Sequence, residues 1–182
     1  MSLGTPKQRT VLAKLVMNPG RTVSTEELID EIWPDEPPRS AVPNFRTYAA
    51  NLRRAFESYE AGRGLLVRRR GGYCLEVPPR DVDPFSFVDH FERARQLNLR
   101  DQADVARSLL NKAMLCWLGP PLLGVPLRPS LSAHVANAQE QYLLAVELLA
   151  TLHLGAGDVD QPFRCCGGRW LSTRFVNQRW SC

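Results

Sequence analysis

Apolar residues recur at helical spacing in three successive segments near the start of the chain, separated by turns that contain proline or glycine. A period of three to four residues places these side chains on one face of a helix, so the pattern predicts three amphipathic helices. Their inward-facing positions, helix by helix, are Val11, Leu12, Leu15 and Val16; Leu28, Ile29, Ile32 and Trp33; and Phe45, Ala49, Leu52 and Phe56. We expect these faces to form one small core.

Proline and capping residues mark the predicted ends of these helices. Pro6 can occupy the first turn of the first helix, and the Asn18-Pro19-Gly20 turn ends it. Ser24 and Glu27 have the spacing of a capping box at the start of the second helix. Ser40 is expected to cap the third helix.

Residues 65–77 change from helical to alternating spacing, which predicts a β-hairpin with Gly71-Gly72 as its turn. Arg68, Arg69 and Arg70 lie at the tip of this hairpin. Three adjacent cations repel one another, whereas phosphates would neutralise them with release of counterions. The hairpin is therefore predicted to be a DNA-contacting wing.

The outward face of the third helix carries the other candidate DNA contacts. Arg46, Thr47, Asn51 and Arg54 lie opposite the apolar stripe, and Arg53 lies on its flank. Arginine and asparagine can each make bidentate contacts with base edges. An ordinary amphipathic helix with solvated arginines is the alternative, and for this helix alone the two interpretations carry equal weight.

From residue 81 onward the pattern predicts helices. Asp83-Pro84 is expected to cap a fourth helix, and Asp101 to begin a fifth. After a connection over residues 117–129, a stripe at strict four-three spacing predicts a long helix that ends near Gly155. The positions of the stripe are Leu131, Val135, Ala138, Tyr142, Ala145, Leu149 and Leu152. This stripe favours packing within the chain, with a homodimer seam as the secondary alternative.

Charge is unevenly distributed along the chain, although the net charge is only +4. Residues 41–80 carry eight Lys/Arg and three Asp/Glu, whereas residues 81–158 carry six and nine. A basic first part followed by an acidic second part indicates a polyanionic partner for the first part only. No apolar run approaches the roughly 20 residues needed to span a bilayer, so we expect a cytoplasmic protein with no membrane partner.

Candidate catalytic and metal-binding chemistry is weak. The chain shows no Gly-rich phosphate loop, no paired carboxylates near a histidine and no nucleophile motif, so an enzyme is the least favoured class. The cysteines lack zinc-ligand spacing, so neither a metal nor another cofactor is predicted. Cys74 and Cys116 lie in apolar patterns, where a thiol is usually a small buried hydrophobe.

Several of these motifs together resemble one family. In chain order they are Lys7-Gln8-Arg9, Val23-Ser24, Leu28-Ile29-Asp30, Ile32-Trp33, Pro37-Pro38, Ser40-Ala41, Leu52-Arg53-Arg54 and Gly72-Tyr73. They are similar to the OmpR-type winged helix of the Streptomyces antibiotic regulatory protein family. Asp83 and Phe87, with the later Trp117-x-Gly119-Pro120, are similar to the bacterial transcriptional activation domain of that family. The resemblance covers about residues 3–158.

The resemblance implies a mainly α fold with two domains. Residues 1–80 would form a winged helix-turn-helix with its C-terminal wing hairpin, and residues 81–158 a tetratricopeptide-like all-α domain for protein contacts. The third helix would lie in the major groove of double-stranded DNA and the wing on a neighbouring minor groove or backbone. The implied activity is transcriptional activation through RNA polymerase, with a possible homodimer on direct repeats. A link to phosphorelay signalling is implied by kinship alone.

Two departures from the family pattern lead to further expectations. The family's winged helix begins with a small sheet, which this chain lacks before its first helix, so the hairpin is expected to have fewer strand partners. Residues 159–182 show no periodicity and are expected to be an irregular, out-of-frame tail with Cys165, Cys166 and Cys182 exposed. The missing strands motivate an alternative function, a helical interaction module or regulator fragment that no longer binds DNA.

Overall fold

The computed structural model describes residues 4–158, and within them it contains six α-helices and three short strands. The elements are α1 (Pro6–Val16), β1 (Thr22–Ser24), α2 (Thr25–Ile32), α3 (Ala41–Glu57), β2 (Leu66–Arg69), β3 (Gly72–Leu75), α4 (Asp83–Asn98), α5 (Ala103–Cys116) and α6 (Pro129–Gly155). Short 3-10 turns occur at Glu60–Gly62 and Pro79–Asp81. The expectations for residues 159–182 lie outside the described residues.

The described chain divides into two compact units. The first comprises residues 4–79 together with Gly124–Ser132, and the second comprises Arg80–Leu123 together with residues 133–158. Each unit has its own hydrophobic cluster. The mainly helical architecture predicted from the sequence is confirmed.

The core of the first unit consists of the inward faces of α1, α2 and α3, closed by the sheet. Every inward position predicted for these helices is buried or partly buried. Phe45 of α3 is fully buried, and its ring meets Tyr73 of β3 edge-on with 5.3 Å between the ring centroids. Burial of one such phenyl group stabilises the folded state by roughly 1.5–3 kcal/mol. The contact with Tyr73 therefore fixes how α3 is rotated against the sheet.

The helix caps agree only in part with the sequence predictions. Ser24 and Glu27 form the predicted capping box, with reciprocal hydrogen bonds of 3.0 and 3.2 Å. A second capping box, between Thr5 and Gln8 at the start of α1, was not predicted. The prediction for Ser40 was wrong because its hydroxyl accepts no backbone hydrogen bond and instead accepts from the Asn44 side chain at 3.1 Å.

The strands form one antiparallel sheet in the order β1-β3-β2. Strand β1 was not predicted, and it gives the hairpin a partner that pairs Val23 with Tyr73. The predicted turn was displaced by one residue, because Arg69 pairs with Gly72 and the turn residues are Arg70 and Gly71. Gly71 has a φ of 80°, which glycine adopts without the steric cost of a side chain. The hairpin therefore supplies the central strand, β3, and one edge strand, β2, of a three-stranded sheet.

The second unit packs α4 against α5, with the later part of α6 completing the core. An aromatic cluster lies in this core and consists of Phe87 of α4, Trp117 just after α5, and Tyr142 of α6. The rings of Trp117 and Tyr142 stack with 4.5 Å between their centroids. The predicted α6 stripe is buried at Leu131, Val135, Ala138, Ala145 and Leu149 and half-buried at Tyr142 and Leu152. This is the result expected for packing within the chain.

Two predicted helix starts in the second unit need correction. Val82, not Asp83, occupies the cap position of α4, and Asp83 is its first residue. Helix α5 begins at Ala103, because Asp101 has a φ of 58° and lies in the preceding turn.

Among the described residues, no helix is both long and apolar enough to cross a membrane, and no cluster of three metal-binding side chains occurs.

Candidate nucleic-acid interface

The outward face of α3 is a row of polar side chains that the packing of the opposite face holds in place. Phe45, Ala49 and Leu52 anchor the helix in the core, each no more than 2% exposed. On the other side Arg46 and Arg54 are exposed, and Asn51 is partly exposed. Within the described residues, the side chains of these three polar residues have no hydrogen-bond or ion-pair partner.

Thr47 lies on the same outward face, but its hydroxyl is already engaged. Its Oγ1 donates to the carbonyl oxygen of Pro43 at 3.1 Å, one helical turn earlier. The methyl group of Thr47 and the acceptor capacity of Oγ1 remain on the exposed surface. Thr47 can therefore offer an apolar contact and a hydrogen-bond acceptor to a ligand.

Arg53 differs from the other arginines of α3 because its side chain turns toward the sheet. Its Nε–H donates to the carbonyl oxygen of Leu66 in β2 at 3.3 Å, and the residue is partly buried. The hydrogen bond joins the candidate recognition helix to the first strand of the hairpin. Arg53 thus holds two candidate DNA-contacting elements together.

The three arginines of the hairpin occupy three different environments. Arg68 is opposite Tyr73 in the β2–β3 register, and neighbouring Arg69 faces the other side of the strand because successive side chains alternate. Arg70 lies in the exposed turn. Arg68 and Arg70 have no side-chain partner within the described residues, so two free guanidinium groups flank the tip of the hairpin.

Arg69 is neutralised within the hairpin by Glu76, through an ion pair between Nη2 and Oε1. The hydrogen bond to Glu76 and the negative charge of that carboxylate raise the pKa of Arg69. Sequence reasoning missed this pair, although Glu76 is the one acidic residue within positions 65–77. Cys74 lies in β3 and is buried, and this burial raises the pKa of its thiol.

The position of the hairpin tip is fixed by a backbone contact that the sequence did not reveal. The amide of Thr25, the first residue of α2, donates to the carbonyl oxygen of Gly71 at 2.9 Å. Gly72 lies so close to β1 that a Cβ atom there would be 2.1 Å from the carbonyl oxygen of Val23. The glycine therefore permits the close approach that holds the turn beside α2.

This combination of a three-helix core, an exposed third helix and a basic hairpin defines the winged-helix class. Residues 2–75 match the family model for the C-terminal domain of transcriptional regulatory proteins, and residues 82–164 match the bacterial transcriptional activator domain. The chain belongs to the Streptomyces antibiotic regulatory protein-like family of transcriptional regulators.

Two relatives are similar to this chain in sequence but are longer than it. Regulatory protein AfsR of Streptomyces coelicolor is 35% identical over 127 residues, which is 69% of this chain and 12% of AfsR. Regulatory protein DnrI of Streptomyces peucetius is 30% identical over 147 residues, which is 78% of this chain and 54% of DnrI. The chain therefore spans between about a tenth and about half of these relatives.

A solved structure supports the same fold. The structure of Mycobacterium tuberculosis EmbR in complex with a low-affinity phosphopeptide matches 87% of this chain with a TM-score of 0.79 and 28% identity. This chain covers 42% of that EmbR chain. The similarity extends over both units.

Proposed function

We propose that this chain is a sequence-specific DNA-binding regulator of transcription, of the activator type, in which α3 enters the major groove. The observation that carries the proposal is the unpaired polar row of α3 beside a basic hairpin. Arg46, Asn51 and Arg54 have free donors on the outward face, and these are the groups that read base edges. Thr47 would contribute its methyl group or hydroxyl oxygen to the same surface.

The hairpin would contact the neighbouring minor groove or the phosphate backbone. Arg68 and Arg70 are exposed and free to bind phosphates, whereas Arg69 would first have to leave Glu76. Arg53, on the flank of α3, would contribute to DNA binding by holding the hairpin beside that helix. Phosphate contacts fix the orientation of a protein on DNA, and base contacts supply the sequence preference.

Residues 81–158 would supply the protein contacts of an activator. The match to a bacterial transcriptional activator domain supports RNA polymerase as the partner. Two copies of the chain would bind direct repeats as a homodimer, which footprinting on one repeat and on two repeats tests directly. Such an activity would take place in the cytoplasm, where the bacterial chromosome lies.

Selection of binding sites from random duplexes, followed by gel-shift titration at several salt concentrations, tests DNA binding. We expect steep weakening with salt together with a preference for one sequence over random DNA. Arg54→Ala should cost about 1–3 kcal/mol on the selected site and relax its sequence preference if Arg54 reads a guanine. Arg100→Ala, an exposed arginine of the second unit, is the matched control.

Two outcomes would change this assignment. Equal weakening of the Arg54→Ala variant on all sequences would make Arg54 a phosphate contact instead of a base contact. Absence of DNA binding even at low salt, combined with capture of RNA polymerase, would favour the alternative of an interaction module without DNA-binding activity.

A further inference from the structure

Val42, the second residue of α3, is an exposed apolar side chain on a helix whose leucine and phenylalanine side chains are buried. Its exposed fraction is 42%, whereas the neighbouring Ala41 and Phe45 are 4% and 0% exposed. Within described residues 4–79, it is the one large hydrophobic side chain that is exposed. Val42 therefore offers a methyl surface at the N-terminal end of the candidate recognition helix.

Val42 lies one helical turn before Arg46. Residues four apart on a helix share a face and are about 6 Å apart along the axis. Successive base pairs of a DNA duplex are about 3.4 Å apart, so the two side chains are separated by one to two base-pair steps. In helix-turn-helix proteins, the first residues of the recognition helix are the ones that reach base edges.

The major groove presents one apolar group that an aliphatic side chain can recognise, the C5-methyl group of thymine. We propose that Val42 is a specificity-determining residue that contacts a thymine methyl group, one or two base pairs from the base contacted by Arg46. This inference rests on the proposed function, because it requires α3 to lie in the major groove. The contact would distinguish thymine from cytosine at a position that no charged side chain reads.

Replacement of thymine by deoxyuridine tests the contact, because it removes only the methyl group and keeps base pairing intact. On the selected binding site, each thymine is replaced in turn, and Kd is measured for the wild-type chain and for Val42→Ala. For the wild-type chain, we expect one replacement to weaken binding about fourfold (about 0.8 kcal/mol, the value of one buried methylene-sized group). The sensitive thymine should lie within two base pairs of the position at which Arg46→Ala relaxes the sequence preference.

The Val42→Ala variant should have lost this sensitivity, so that thymine and deoxyuridine sites bind it equally. Val105→Ala removes an aliphatic side chain that is 55% exposed in α5, and this control should keep the full fourfold penalty. The side chain of Val42 is partly solvated, so urea unfolding of Val42→Ala should resemble that of the wild-type chain.

The two levels of the proposal fail in different ways. If the chain binds specific DNA but deoxyuridine has the same effect on the wild type and on Val42→Ala, the thymine contact is wrong and the proposed function stands. If no deoxyuridine replacement affects the wild type, the contact is equally overturned. If the chain binds no DNA at low salt, the proposed function fails, and this inference fails with it.

Discussion

The Nε–H group of Arg53 in α3 donates a hydrogen bond to the carbonyl oxygen of Leu66 in β2, with 3.3 Å between the two atoms. Strand β2 lies at the edge of the sheet, and Leu66 is 3% exposed. A buried carbonyl group that loses its partner carries a desolvation cost. Arg53 therefore satisfies a backbone acceptor and sets the spacing between α3 and the hairpin.

Arg53→Leu should lower the free energy of unfolding by about 1 kcal/mol, because leucine cannot donate this hydrogen bond. Leucine keeps the aliphatic part of the arginine side chain, so little packing should be lost. It should also weaken DNA binding by releasing the hairpin from α3. In that background, a further Arg68→Ala change should cost less than it does in the wild-type chain, because the two substitutions disturb one unit. Urea unfolding and a double-mutant cycle in gel shifts measure the two effects.

Arg54→Leu is the matched control, since Arg54 is adjacent but exposed and unpaired in the described residues. It should change DNA binding and leave the free energy of unfolding nearly unaltered. Unchanged stability of Arg53→Leu, with fully additive losses in the cycle, would mean that Arg53 contacts DNA directly.

Glu76→Gln should strengthen DNA binding and increase its dependence on salt. The substitution removes the carboxylate that neutralises Arg69, so a third guanidinium group of the hairpin becomes available to phosphates. One additional phosphate contact raises the magnitude of the slope of log K against log salt by about 0.9. Titrations at four or more salt concentrations measure this slope.

Glu60→Gln removes the same charge from an exposed position at the 3-10 turn after α3 and serves as the control. It should leave the slope unchanged, because it frees no arginine. Both variants lose one negative charge, so a change seen only in Glu76→Gln reports the release of Arg69. An equal effect of the two substitutions would show that Glu76 acts through net charge and not through Arg69.

Gly72→Ala should destabilise the first unit, because the new Cβ would be 2.1 Å from the carbonyl oxygen of Val23. That oxygen belongs to the backbone of β1, so β1 and β3 would have to separate. Overpacking of this kind costs roughly 1–3 kcal/mol, and a rigid backbone neighbour favours the upper part of that range. Urea unfolding of the full chain measures the loss.

Gly155→Ala provides the control, because a Cβ there meets nothing within 4 Å and its backbone has no unusual φ. This change should be neutral or slightly stabilising, since alanine has less conformational freedom to lose. If Gly72→Ala is equally harmless, β1 does not pack against the hairpin as described.

Much of the fold follows from the periodicity of apolar residues. The stripe of α3 predicted its rotation correctly, and that rotation determines which polar residues are exposed. Strand β1 was missed because its three residues are too short to show an alternating pattern, and it forms only by pairing with β3. The hairpin turn was misplaced because Gly71 and Gly72 look alike in sequence, although only Gly71 needs a positive φ.

The residues of the candidate interface could be predicted from the sequence, but the hydrogen bonds and ion pairs that they form could not. Periodicity identifies an outward arginine, but it does not show whether the guanidinium group is free or bound. The Arg53–Leu66 hydrogen bond spans 13 residues, and the Arg69–Glu76 pair depends on the hairpin register. Such contacts arise from tertiary packing and strand pairing, which a pattern along one segment does not contain.

Ser24→Ala should lower the free energy of unfolding by about 1 kcal/mol, within a range of roughly 0.5–2 kcal/mol for lost N-caps. Its hydroxyl accepts from the amide of Glu27 at 3.0 Å, and the side chain of Glu27 accepts from the amide of Ser24 at 3.2 Å. Without the hydroxyl, the first turn of α2 loses one half of this box, and the amide of Glu27 has to bind water.

Ser40→Ala is the control that the structure offers, because Ser40 precedes α3 but makes no side-chain cap hydrogen bond. Its loss removes only an exposed bond with Asn44 and should cost less than about 0.5 kcal/mol. The cap of α2 also bears on the wing, because the neighbouring Thr25 amide donates to Gly71 at 2.9 Å. Ser24→Ala should therefore weaken DNA binding as well as stability, whereas Ser40→Ala should leave stability nearly unchanged. Equal loss of stability in the two variants would contradict the difference in capping between α2 and α3.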